Sequence, residues 1–322
     1  MSDELVGYPF AVADQPFCCW EYDLRERNLE YLQGVDTQYF STMARILSEH
    51  LDSDRGMPAS IAIRALYHQA IEALMSLLGA IAQAPGCVAA WIAKCGTKDL
   101  QEVVDRLAHG RSLLTQAGNQ RVSLDDLAER THQHVWPTES GDDPTAARFG
   151  QFWRRLSDEF LDEKARAEYN AIKHGHRVRP GGFVMSIGVE TEHGAPAPAS
   201  AMRSMGGSRH GSSFFQVERV GDTAWNIRAR RTSINWSVDA LVQRLHLISL
   251  SITNVVAALQ CEDGVNPETV EFQRPQDANA FDEAWAHGIG ARYNNMDTII
   301  DIDASDVPTR DQIREHLEQR RQ

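Results

Sequence analysis

Apolar residues return at helical spacing in three long stretches of the chain. From Pro58 to Ala84 they are Ile61, Ala65, Leu66, Ala70, Leu74, Leu77 and Ile81, the recurrence of a helix with one buried face. Val238 to Gln260 repeats the pattern with Leu241, Leu245, Ile248, Ile252, Val255, Val256 and Leu259, behind Ser237 as a cap. Between them, Pro144 to His174 reads as one helix, opened by Asp143-Pro144 and stopped by Gly175 and Pro180-Gly181-Gly182. Shorter helices are predicted over Thr37–Leu51, Gly86–Lys94, Thr97–Ala108 with Thr97 as cap, and Leu124–His134. The last of these follows a capping box of Ser123 and Asp126. Residues 1–33 fit either a strand or an arm on the core, and Arg111–Val122 fits a loop.

After Pro180 the period changes. Phe183–Val189, Phe214–Val220 and Ala224–Arg230 are rich in β-formers and read as three strands of one small antiparallel sheet. The Gly-, Ala-, Pro- and Ser-rich run Thr191–Ser212 between the first two reads as a long loop of the mobile or functional kind. The predicted fold is mainly α. A helical bundle spans residues 1–262, with a small antiparallel β insertion at about 182–232 before the last long helix. Residues 263–322 form an acidic C-terminal extension, since Glu262 to Gln322 holds 14 Asp/Glu against 6 Arg.

The uncharged run Ala73–Ala93 is long enough to raise a membrane span. Pro85-Gly86 interrupts it, so two buried helices joined by a turn are expected and no membrane partner. The N-terminus lacks a basic and then apolar leader pattern, and the five cysteines show no CxxC spacing. The expectation is a cytoplasmic protein with reduced thiols, no metal and no cofactor.

Charge changes the picture. The chain carries a net −13, which argues against a protein that coats nucleic acid everywhere. Yet Lys164 to Arg231 holds 11 Lys/Arg against 5 Asp/Glu, a net of +6. Such an island can steer a phosphate-bearing ligand to one face.

The helix 144–174 leads into that island. Continued at about 100° per residue, the face of Phe149, Trp153 and Phe160 runs on to Glu163, Asn170 and His174. Arg166, Asn170 and His174 are spaced i, i+4, i+8 and form a ladder. Imidazole suits proton transfer near neutral pH, guanidinium suits phosphate, and an amide can orient either partner. Glu129-x-x-His132 has the spacing of a di-iron helix, but no facing helix supplies a second such pair.

The segment Tyr169-Asn170-Ala171-Ile172-Lys173-His174-Gly175 resembles the signature helix of the HEPN family, α-helical proteins common in bacterial defence and toxin–antitoxin systems. The resemblance implies a metal-independent ribonuclease acting as a homodimer, with His174, Asn170 and Arg166 as catalytic residues. It implies Lys173, His176, Arg177, Arg179 and Tyr169 as substrate-binding residues. Tyr169 stands where the family places Arg, and the nearest upstream Arg is Arg166. That departure favours the alternative, a non-catalytic module that binds RNA, a nucleotide or a protein partner through the same face.

Overall fold

The computed structural model describes residues 6–136, 143–174, 177–190, 192–221, 223–286, 288–295 and 307–319. Helices predominate, with small antiparallel sheets between them. The chain divides into two compact units. The first joins residues 1–166 to 238–288; the second joins 167–237 to 289–322. This division runs differently from the expected boundary at 262/263, because residues 263–288 belong with the first unit and 289–322 with the second.

The first unit begins with a hairpin of β1 (Val6–Val12) and β2 (Gln15–Glu21). Helices α1 (Leu24–Gly34), α2 (Tyr39–Ser48), α3 (Gly56–Gln83), α4 (Val88–Lys94) and α5 (Thr97–Ala108) follow. Residues 112–121, expected as loop, form a second hairpin of β3 (Ser112–Thr115) and β4 (Gly118–Arg121), turning through Gly118 at φ 90°. Then come α6 (Leu124–His132), α7 (Thr145–Leu161), and later α9 (Val238–Glu262) and α10 (Ala280–Ala286). Ser123 and Asp126 cap α6 reciprocally, as the sequence signature predicts. For α5 the cap is Gly96, whose N–H donates to Asp99 Oδ2 at 3.1 Å, and Thr97 is the first helical residue.

Helices α3 and α9 pack on one another at the centre. By length and composition both could cross a membrane, yet 72% and 78% of their most apolar stretches are buried within the protein. Each also buries polar groups, and these are hydrogen-bonded. On α9, Ser251 Oγ accepts from Trp153 Nε1 at 2.9 Å, and Asn254 Nδ2 lies 3.0 Å from His132 Nε2. On α3, Tyr67 donates its hydroxyl to Glu159 at 2.9 Å, and Arg244 reaches the same carboxylate at 3.1 Å while its guanidinium covers the Trp285 ring at 3.6 Å. Burial and the Glu159 charge push the Tyr67 phenol up, so it stays a donor.

His132, half of the Glu-x-x-His spacing, is fully buried between Phe149, at 4.7 Å, and Trp136. Its Nδ1–H donates to Ala128 O at 2.7 Å, which leaves Nε2 to accept from Asn254. Both nitrogens are therefore occupied by protein groups, and burial lowers the ring's pKa to about 4. Its role is structural.

The second unit contains the last turns of α8 (Glu163–Lys173), strands β5 (Val178–Pro180), β6 (Val184–Ile187), β7 (Arg203–Gly207), β8 (Gly211–Arg219), β9 (Ile227–Asn235) and β10 (Tyr293–Asn295), and α11 (Arg310–Gln319). The expectation of one three-stranded sheet is corrected. β6 leaves to pair with β7, which arises from within the predicted loop, and the main sheet has the order β10-β9-β8-β5.

Candidate nucleic-acid interface

The long helix expected over 144–174 is two helices. Asp162, at φ −62° and ψ 123°, ends α7 with its N–H on Asp158 O at 3.0 Å. The same residue opens α8, where its carboxylate accepts from Ala165 N at 2.8 Å. The signal was present in the sequence as Asp162-Glu163, an N-cap followed by an acid that suits the positive helix start. The break resets the phase of the buried face. Ala165, Glu168 and Ala171 now point inward, whereas Glu163, Asn170 and His174 are exposed. The expected core-facing acid, amide and imidazole are thus corrected: the buried acid is Glu168, which accepts from Ser212 Oγ at 2.6 Å.

Asn170 and His174 share one exposed helix face, the backbone N–H of His174 bonding to Asn170 O at 3.2 Å. Arg166 is half-buried, and its Nε finds no hydrogen-bond partner among the described residues. Lys173 lies over the Tyr169 ring with Nζ 5.4 Å from the centroid. Arg177 and Arg179 are exposed, while His176 lies outside the described residues.

The sheet assembles a different set. In a strand, alternate side chains take opposite faces. One face, with Ser212, Phe214, Thr232 and Ile234, is buried, and the Glu168–Ser212 bond puts α8 on that side. The other face is open. Register aligns Arg179, Ser213, Ser233 and Asn294 in one rank across all four strands. Ser213 and Ser233 link their hydroxyls at 2.7 Å. In the next rank Phe215 stands opposite Arg231, and the phenyl ring is 67% exposed. These residues, with the turn Gly181-Gly182-Phe183, line a cavity of about 480 Å³. Of the helix-based candidates, it takes in Arg179.

Asn235 holds the turn in place. It is buried at the end of β9, accepts from Phe183 N at 2.9 Å, and donates to Phe183 O and Ala291 O, both at 2.8 Å. Gly182 must be glycine here, because a Cβ would fall 2.1 Å from Ser208 O. An amide among β-formers in Ser233-Ile234-Asn235-Trp236 was the sequence signal for this clamp.

The two faces also sort the basic island. On the side of Phe214 and Thr232, Glu218 takes Arg230 at 2.7 Å and Arg228 at 2.8 Å, and those two hydrogen bonds hold its carboxyl below the usual range. On the open side, Arg179, Arg219 and Arg231 form no ion pair among the described residues. Positive charge is therefore engaged by an acid on one face and displayed without one on the other. Among the described residues, no group of three His, Cys, Asp or Glu is placed to hold a metal ion.

In comparison with known proteins, no family model, no curated protein and no solved structure matches this chain.

Proposed function

We propose that the protein binds single-stranded RNA on the open face of the β5–β10 sheet without cutting it. The rank Arg179-Ser213-Ser233-Asn294 beside the exposed Phe215–Arg231 pair carries this reading. An exposed phenyl ring is a stacking platform for an unpaired base, worth about 1–3 kcal/mol per base. Arginines free of acids hold phosphate oxygens, and hydroxyl and amide groups suit base edges and the ribose 2′-hydroxyl. The net −13 of the whole chain confines such binding to this face.

Fluorescence anisotropy with a short labelled oligouridine tests it. Two to three phosphate contacts predict a slope of log K against log salt of about −1.4 to −2.1, and Arg231→Ala reduces it by about 0.7. Phe215→Ala weakens binding about tenfold, within the stacking range. Salt-independent binding, or unchanged affinity in F215A, rejects the reading. Equal affinity for the matching DNA oligomer widens it to single strands in general.

A second reading, metal-independent cleavage by a HEPN-like homodimer in bacterial defence, is favoured by the exposed Asn170 and His174 on one helix face. It requires RNA to be cleaved in the presence of a chelator and cleavage to stop in His174→Ala. A parent protein that binds the oligomer and leaves it intact excludes this reading.

A further inference from the structure

A second cavity lies along α7 of the helical unit. Arg148, Gln151, Phe152 and Arg155 fall at i, i+3, i+4 and i+7, so they form a single stripe. Phe281, Asp282 and Trp285 of α10 line the same space, which holds about 240 Å³. The apolar part of the wall is aromatic. Phe152 and Phe281 are buried with their ring centres 6.0 Å apart, and the Trp285 ring centre lies 6.5 Å from that of Phe152. The volume falls just below the roughly 300–1,000 Å³ of drug-sized sites, so the occupant is a molecule of one ring.

The polar part of the wall is rich in donors. Arg155 meets one acid among the described residues, Asp282 at 3.9 Å, and the two side chains are 47% and 75% exposed. A surface pair at that separation is worth little and yields to a better acceptor. The Arg155 guanidinium also lies 5.7 Å from the Trp285 ring centre, which keeps its planar fork beside the aromatic wall. Arg148 donates to Ala278 O and keeps its charge, since that partner is neutral. The Gln151 side chain is exposed and forms no hydrogen bond among the described residues. Trp285 Nε1 is buried and likewise finds no acceptor among them. Two guanidinium groups against one carboxylate leave the wall net positive, so a cation is repelled and an anion is drawn in.

We propose that this cavity binds a small aromatic acid, one ring bearing one carboxylate. The ring lies against Phe281 and Trp285, and the carboxylate takes the fork of Arg155 as a bidentate pair, displacing Asp282. Arg148, two turns earlier on the same stripe, adds to the attraction. The site is independent of the RNA-binding face, since its wall comes entirely from the helical unit.

Three ligands of similar shape decide the matter by calorimetry on the full chain: phenylacetate, its neutral isostere phenylacetamide, and phenethylamine. Phenylacetate binds, phenylacetamide binds about tenfold more weakly, and phenethylamine does not bind. Arg155→Gln lowers phenylacetate affinity about tenfold and leaves phenylacetamide unchanged. Asp282→Asn acts in the opposite direction, because it removes the competing carboxylate, and tightens phenylacetate about threefold. Ala147→Leu, at an exposed position of the same wall, fills the cavity and abolishes binding of both, with a cooperative thermal melt showing that the variant is folded. The proposal is overturned if phenylacetate binds no tighter than phenylacetamide, if R155Q keeps the parent's phenylacetate affinity, if D282N fails to tighten it, or if phenylacetate does not bind at millimolar concentration.

Discussion

In the helical unit, polar side chains close on one another inside. His132 is held between Ala128 and Asn254, Tyr67 and Arg244 converge on Glu159, and Trp153 bonds to Ser251. In the sheet unit, the open face displays Arg179 and Arg231 beside an exposed Phe215, with Val217 and Ile227 also open to solvent. A buried polar group left without a partner is costly, so interior networks are closed by necessity and leave little for a ligand. An exposed arginine or phenyl carries no such requirement. The difference teaches where to look for function: a polar residue is informative when nothing in the fold demands it.

Substitutions sharpen that contrast. The largest effect is expected at Phe149, fully buried against His132 and Phe281. Phe149→Ala should cost about 4 kcal/mol of stability in a denaturant titration, the sum of lost burial and a residual cavity. Arg244→Ala follows, at about 3 kcal/mol, because it removes an ion-pair partner from Glu159, whose side chain is only 11% exposed. A loss near zero in either variant would erase the distinction between the two units.

His132 gives the comparison a pH axis. Its folded pKa of about 4 lies below the ordinary 6.5, so between these values the unfolded chain binds the extra proton. Stability from this group is present above pH 6.5 and is lost as pH falls towards 4. The full loss is about 3 kcal/mol, since each tenfold change in proton affinity is worth about 1.4 kcal/mol. Measured across that window, His132→Gln should start less stable at pH 7 and show a flatter decline. An unchanged slope would mean that other groups govern the acid limb.

The smallest stability effects belong to the sheet face. Phe215→Ala and Arg231→Ala should shift stability by less than about 0.5 kcal/mol, as surface changes do, while RNA affinity falls. A large loss of stability with unaltered binding would reverse the assignment of roles.

Much of the helical framework was readable along the chain. Long apolar stripes fixed α3 and α9, and the capping box fixed the start of α6, because these signals are local and strong. The β-formers after Pro180 marked β8 and β9, and the charge count marked the basic island. Pairing lay beyond local signals. Nothing in one strand states its neighbour, so the separation of β6 with β7 and the arrival of β10 from the far end of the chain came from tertiary contacts. Helical phase was equally fragile. One residue, Asp162, takes an extended conformation, and every side chain after it turns to a new direction. Spacing therefore settled which residues could share a face; the break at Asp162 and the register of four strands decided that Glu168 is buried, that Asn170 and His174 face solvent, and that Arg179 meets Ser213, Ser233 and Asn294. The physical reason is range: periodicity and capping act within a few residues, whereas strand partners and the direction of a helix face are chosen by whichever distant surfaces they bury.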